Sequence, residues 1–86
     1  MLKIAYKATF LKKFNKLPPN LQDEAREKIE IFREDPFHPF LKAHKLHGRM
    51  DGMWSFSINY EYRIIFQYIL KDEVALLAIG NHDIYK

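Results

Sequence analysis

Two runs near the C-terminal end of the chain, residues 62–70 (YRIIFQYIL) and 73–80 (EVALLAIG), are apolar at nearly every position and are separated only by Lys71 and Asp72. A strand with one wet face alternates, whereas a continuous apolar run marks a strand covered on both faces. These runs therefore read as a hairpin at the centre of a sheet, and the rest of the chain has to cover it. The chain has 86 residues, enough for one domain, 1–86. At the other end, LKIAY alternates Leu2, Ile4 and Tyr6 against Lys3 and Ala5, as a half-buried strand does. Phe10, Phe14 and Leu17 then fall at helical spacing, with Thr9 as the expected cap. LPPN breaks that helix. A second one is expected from an Asn20 cap to about Glu34, with Asp23 at its third position and Leu21, Ala25, Ile29 and Phe32 on its inner face. DPFHPF stops it. Residues 41–52 sustain no period and read as loop, with turns at Gly48 and Gly52. In the next strand Trp54, Phe56, Ile58 and Tyr60 share one face, and Ser55, Ser57, Asn59 and Glu61 the other. The alternation assigns Trp54, Phe56, Tyr60, Phe66 and Tyr68 to the core in preference to a role as base-stacking platforms. The order is β-α-α-β-β-β, an α+β fold with a single antiparallel sheet of about four strands and two N-terminal helices.

The chain has no cysteine, which excludes disulfides and thiolate zinc sites and fits a reducing, cytoplasmic compartment. Lysines interrupt the apolar residues of MLKIAYKATF, so it does not read as a signal peptide. No apolar run approaches the ~20 residues that span a bilayer, so no membrane association is expected. Fourteen basic against 11 acidic side chains, and a pI of about 9.2, give a mild lean towards polyanions.

Four histidines are the first candidates for chemistry: His38, His44, His47 and His82. His44 and His47 have the spacing of a metal pair but lack an obvious third ligand, so no metal and no cofactor is assigned. His38, between two prolines, reads as a solvated loop residue. His82 follows Gly80 at the edge of the most apolar strand, beside Asp83 and near Tyr85. A hairpin turned at Lys71-Asp72 brings Arg63 roughly opposite His82 or its neighbours. An arginine binds phosphate oxygens bidentately, and a histidine can give or take a proton near neutrality. The bland alternatives are an ion pair of Arg63 with Glu61 or Asp83, and a frayed terminus. The exposed helix face of Lys12, Lys13 and Lys16, together with Lys45 and Arg49, is the candidate docking surface for a polyanion such as RNA.

LKAHKLHG, GMWSFSINYEYRIIF and LLAIGNHDIY, taken in order and spacing, resemble the RelE/ParE toxin superfamily of toxin–antitoxin modules. The likeness covers nearly the whole chain. G-x-W-S-x-x-I followed by R-I-I-F is similar to the YoeB-like branch; K-x-H-x-L-x-G and I-G-x-H are similar to the YafQ-like branch. The resemblance implies a RelE-like microbial RNase fold and a metal-independent endoribonuclease that cleaves mRNA in the ribosomal A site. The ribose 2′-hydroxyl attacks the adjacent phosphate and leaves a 2′,3′-cyclic phosphate. By the same resemblance Arg63 stabilises the phosphate, His82 is the general acid and His44 the general base; Glu61 or a ribosomal group is the alternative base. Tyr85 stands near the family's C-terminal aromatic. Where the YafQ-like pattern has a further histidine this chain has Ser57, and where it has an aspartate this chain has Glu61. The acid–base glutamate of the YoeB-like branch has no equivalent, Pro39 falling near its place. The implied partners are a cognate antitoxin, mRNA and the ribosome. Two other readings share the fold: a ParE-like inhibitor of DNA gyrase, and a catalytically degenerate antitoxin-binding module.

Overall fold

In the computed structural model the described residues are 1–85, with the side chain of Tyr85 outside the description. The strands are β1 (Lys3–Tyr6), β2 (His44–Lys45), β3 (Trp54–Ser57), β4 (Arg63–Leu70) and β5 (Glu73–Gly80); the helices are α1 (Ala8–Phe14) and α2 (Pro19–Glu34). Short 3₁₀ turns occupy Pro39–Leu41, Gly48–Met50 and His82–Tyr85. No helix among the described residues is long and apolar enough to cross a membrane.

Both helices form where the apolar spacing predicts, but their starts differ. The residue before α1 is Lys7, and Thr9 lies inside the helix with its hydroxyl donating to the Leu77 carbonyl at 2.7 Å. That hydroxyl fastens the helix to the sheet instead of capping it. The second helix starts at Pro19, preceded by Pro18 with no side-chain cap, and Asn20 and Asp23 fall inside it. Proline at the first helical position has the right φ already and lacks only an N–H that the helix would leave unpaired. Leu21, Ala25, Ile29 and Phe32 are buried, as their spacing requires. The Phe32 ring stacks on Phe56 at 4.4 Å and meets the edge of Phe66 at 4.7 Å, so this helix is keyed into the middle of the sheet.

The sheet has five strands in the order β1-β5-β4-β3-β2. It is mixed, not antiparallel: β1 runs parallel to β5, and the other pairs are antiparallel. The two helices between β1 and β2 carry the chain from one edge of the sheet to the other, and the run β2-β3-β4-β5 brings it back to lie alongside β1. The added strand β2 has only two residues, too few to show a period. As expected, β4 and β5 are central and the chain turns at Lys71 and Asp72. The third strand stops at Ser57, so its alternation is not carried on: Ser55 and Ser57 are buried and Tyr60 is 93% exposed, outside the core. The segment before it carries Gly48 and Gly52 at φ +68° and +88°, left-handed values that permit its two tight turns.

Two offsetting irregularities interrupt the central hairpin. Between β4 and β5, Phe66 pairs with Leu76 but Ile65 pairs with Ala78, leaving Leu77 as an extra residue. Such a bulge shifts all later pairings by one. An opposite shift lies between Tyr68 and Leu70, so the Leu77 bulge restores the register of the Leu70–Glu73 pair, leaving Arg63 opposite Gly80 and Ile64 and Ile79 in one buried row. The carbonyl of the bulged Leu77 is the one that accepts from Thr9.

Candidate functional site

In register, Ser57 pairs with Arg63 and Arg63 with Gly80, so these three residues form one row across the sheet and their side-chain positions share a face. The Arg63 guanidinium donates through Nη1 to the Ser57 hydroxyl. Half-buried Arg63 is thus held from the side by a buried serine. After Gly80 the chain folds back. Asn81 organises the turn: its Oδ1 accepts from the Asp83 N–H at 2.9 Å and its carbonyl from the Ile84 N–H at 3.1 Å. The turn lies so close to the strand that a Cβ at position 80 would collide with the Ile84 side chain. Glycine is needed there for space, and that contact brings His82 over the end of the sheet.

The result is an open cavity of about 620 Å³ whose wall includes Arg63, His82, Lys28 and Lys42. Lys28 comes from α2 and Lys42 from the end of the Pro39–Leu41 turn. Lys42 has φ +50°, a left-handed conformation that costs a non-glycine residue about 1–2 kcal/mol. Neither lysine was singled out from sequence. Lys28 reads there as an ordinary solvated helix residue, and Lys42 reaches the site through a turn that no pattern announces. Three cations and one imidazole around a cavity favour an anion, and the imidazole adds a group able to transfer a proton.

The other expected residues are distributed around this centre. Glu61 lines a smaller adjoining recess with His82 and Asp83. His44 pairs with Ser55, which places it on the same sheet face as Arg63 but outside the cavity wall. Two strands across and two residues along put their Cα atoms about 12 Å apart. The His44 Nδ1 lies 3.1 Å from the Lys42 carbonyl. A carbonyl can only accept, so Nδ1 donates, and in the neutral imidazole Nε2 then carries the lone pair. His38 is half-buried and accepts the Phe40 N–H on Nδ1 at 3.1 Å, so it is a structural cap and not a solvated bystander. His47 precedes the Gly48–Met50 turn, and no group of three metal-ligating side chains occurs among the described residues. The Tyr85 side chain lies outside the described residues.

None of Lys12, Lys13, Lys16, Lys45 and Arg49 lines the cavity, and all are exposed. Lys12 and Lys13 lie in the last turn of α1, where cations suit the helix dipole. Lys45 lies 5.5 Å above the Trp54 ring.

No family profile and no curated protein matches the chain. Solved structures do. A copper-bound mutant toxin from Helicobacter pylori is 25% identical, with all of both chains covered and a TM-score of 0.73. YafQ from Escherichia coli is 14% identical, with 99% of this chain and 98% of that one covered and a TM-score of 0.77. The toxin–antitoxin complex RelBE2 from Mycobacterium tuberculosis gives 17% identity, coverage of 94% and 98%, and a TM-score of 0.78. At these identities and full-length coverages the shared property is the fold.

Proposed function

For a chain that has the fold of the RelE/ParE toxins, we propose the role of toxin in a toxin–antitoxin module, acting as an endoribonuclease on mRNA without a metal. The observation that carries this reading is the cavity that gathers Arg63, His82, Lys28 and Lys42. Its charge suits a phosphodiester, and His82 supplies the proton-transfer group.

In the proposed reaction a ribose 2′-oxygen attacks the adjacent phosphorus. The new O–P bond closes a 2′,3′-cyclic phosphate while the bond from phosphorus to the 5′-oxygen of the next nucleotide breaks. His44 takes the 2′-hydroxyl proton on Nε2, and His82 gives a proton to the departing 5′-oxygen. Arg63, with Lys28 and Lys42, offsets the charge that grows on the equatorial oxygens, in a geometry set before the substrate arrives. A single phosphate can lie between His44 and Arg63 because the two come from strands separated by β3. The substrate is mRNA in the ribosomal A site, which puts the protein in the cytoplasm. An antitoxin is the expected partner, by analogy with the toxin–antitoxin complexes RelBE2 and YoeB–YefM.

Primer extension on a translating mRNA, with and without ribosomes and with a chelator present, tests this reading. The parent should give discrete cuts with cyclic-phosphate ends, and His82→Gln should give none. His44→Gln should be nearly inactive. Full activity in His44→Gln with a dead Glu61→Gln would move the base to the carboxylate beside His82. Growth arrest with intact mRNA and stalled replication would favour the gyrase reading. An absence of any toxicity would leave only a binding module.

A further inference from the structure

The cavity wall also holds two large aromatic side chains, Phe40 and Tyr60, which are 68% and 93% exposed. Neither has a place in the acid–base chemistry. We propose that these two rings are stacking platforms for unpaired bases flanking the phosphate, so that the site takes single-stranded RNA. This rests on the nuclease reading and adds how the substrate is held.

Both rings stand on backbone that is already fixed. Tyr60 is at the tip of the connection between β3 and β4. Beneath it, Asn59 Oδ1 accepts from the N–H groups of Glu61 at 2.8 Å and Tyr62 at 2.9 Å. Asn59 Nδ2 donates to Glu24 Oε1 on α2 at 2.7 Å, and the Ile58 N–H donates to the Tyr62 carbonyl at 2.9 Å. The turn is therefore tied to helix and sheet while the ring projects outward. Phe40 precedes Leu41, which is fully buried, and its own N–H is held by His38. The His38 ring supports the Phe40 ring at 4.6 Å. Exposing a large aromatic at a fixed turn gains nothing for the fold, because its apolar area stays in water. It does make a platform that loses little freedom when a flat ligand lands on it.

The charge beside the rings selects the ligand. Lys28, Lys42 and Arg63 share the cavity with both aromatics. Alternating cationic and aromatic groups is how single-stranded nucleic acid is held, the cations on phosphates and the rings on bases. A paired duplex offers no open base face, so the site discriminates against it.

The test is binding of a fluorescein-labelled hexaribonucleotide made uncleavable by 2′-O-methyl groups, beside an abasic hexamer of equal charge. The parent should bind the base-bearing strand more tightly. Phe40→Leu and Tyr60→Leu keep an apolar side chain but lose the flat ring, and each should weaken that binding about 5- to 150-fold. Affinity for the abasic strand and the salt slope should hold, because no phosphate contact is lost. Arg63→Ala should weaken both strands. Leucine variants that bind both strands like the parent, or lose both equally, overturn the stacking role and leave the nuclease reading standing. A parent that binds neither strand overturns the stacking role, and if it also fails to cut mRNA the nuclease reading falls with it.

Discussion

At the scale of single residues, the site depends on two positions whose importance has different physical origins. Arg63 contributes charge from a rigid strand, braced by Ser57. Arg63→Ala should keep the fold and lower the cleavage rate by about 10²–10³, the usual cost of one transition-state donor. Arg63→Lys should recover only part of that loss, since an ammonium cannot grip two oxygens at once. Rates and melting curves of the purified variants check this; a protein that simply unfolds would make Arg63 a structural residue. Gly80 contributes room. Gly80→Ala should push Ile84 and the His82 turn off the sheet. A shift of about 1 Å at a reacting group can cost about 10²-fold in rate. Unchanged cleavage by Gly80→Ala would show that the position of this turn is irrelevant to the chemistry.

At the scale of elements, what reads locally is right and what needs a partner is incomplete. The inner face of α2 (Leu21, Ala25, Ile29 and Phe32) is legible because its period needs only the helix itself. Thr9 and Asn20 have the residue type and position of caps, but the helix starts are set by the junctions: a hydroxyl tie to the Leu77 bulge, and a proline already set for the first turn. Tyr60 read as core because its alternation was extended past Ser57, where the strand ends and an Asn59 turn begins. Helix α1 also bears a prediction. Lys12 and Lys13 on it and Lys16 just beyond it are exposed and do not line the cavity, so they suit docking and not chemistry. The triple Lys12→Gln, Lys13→Gln, Lys16→Gln variant should weaken RNA or ribosome binding and flatten its salt dependence, since each lost phosphate contact releases fewer counterions. A salt slope equal to the parent's would reduce these lysines to helix-end charges that aid solubility.

At the scale of the whole molecule, 86 residues make a thin core, and much of it converges on one ring. Phe32 is fully buried and touches Phe56 and Phe66 from the helical side. Phe32→Ala should cost about 3–5 kcal/mol. Domains of this kind have about 5–15 kcal/mol in total, so the melting temperature should fall by on the order of 20 °C or more. Calorimetry would show it, and a drop of only a few degrees would mean that helix and sheet repack around the gap. On the proposed reading, a small margin also suits a toxin governed by a partner, because a bound antitoxin would add its binding energy to the stability of the fold.

The sequence by itself determined the two helices, the central hairpin, the α+β class and the pairing of Arg63 with the end of the last strand. Each rests on a period or a turn within a short stretch of chain. Only the tertiary structure decided that β1 joins β5 in parallel and that Leu77 bulges. It also decided that Lys28 and Lys42 meet Arg63 and His82, and that Phe40 and Tyr60 stand in solvent beside them. These outcomes depend on which distant segments share a face. A one-residue shift in strand register, which no local pattern records, exchanges every side chain between the two faces of a sheet.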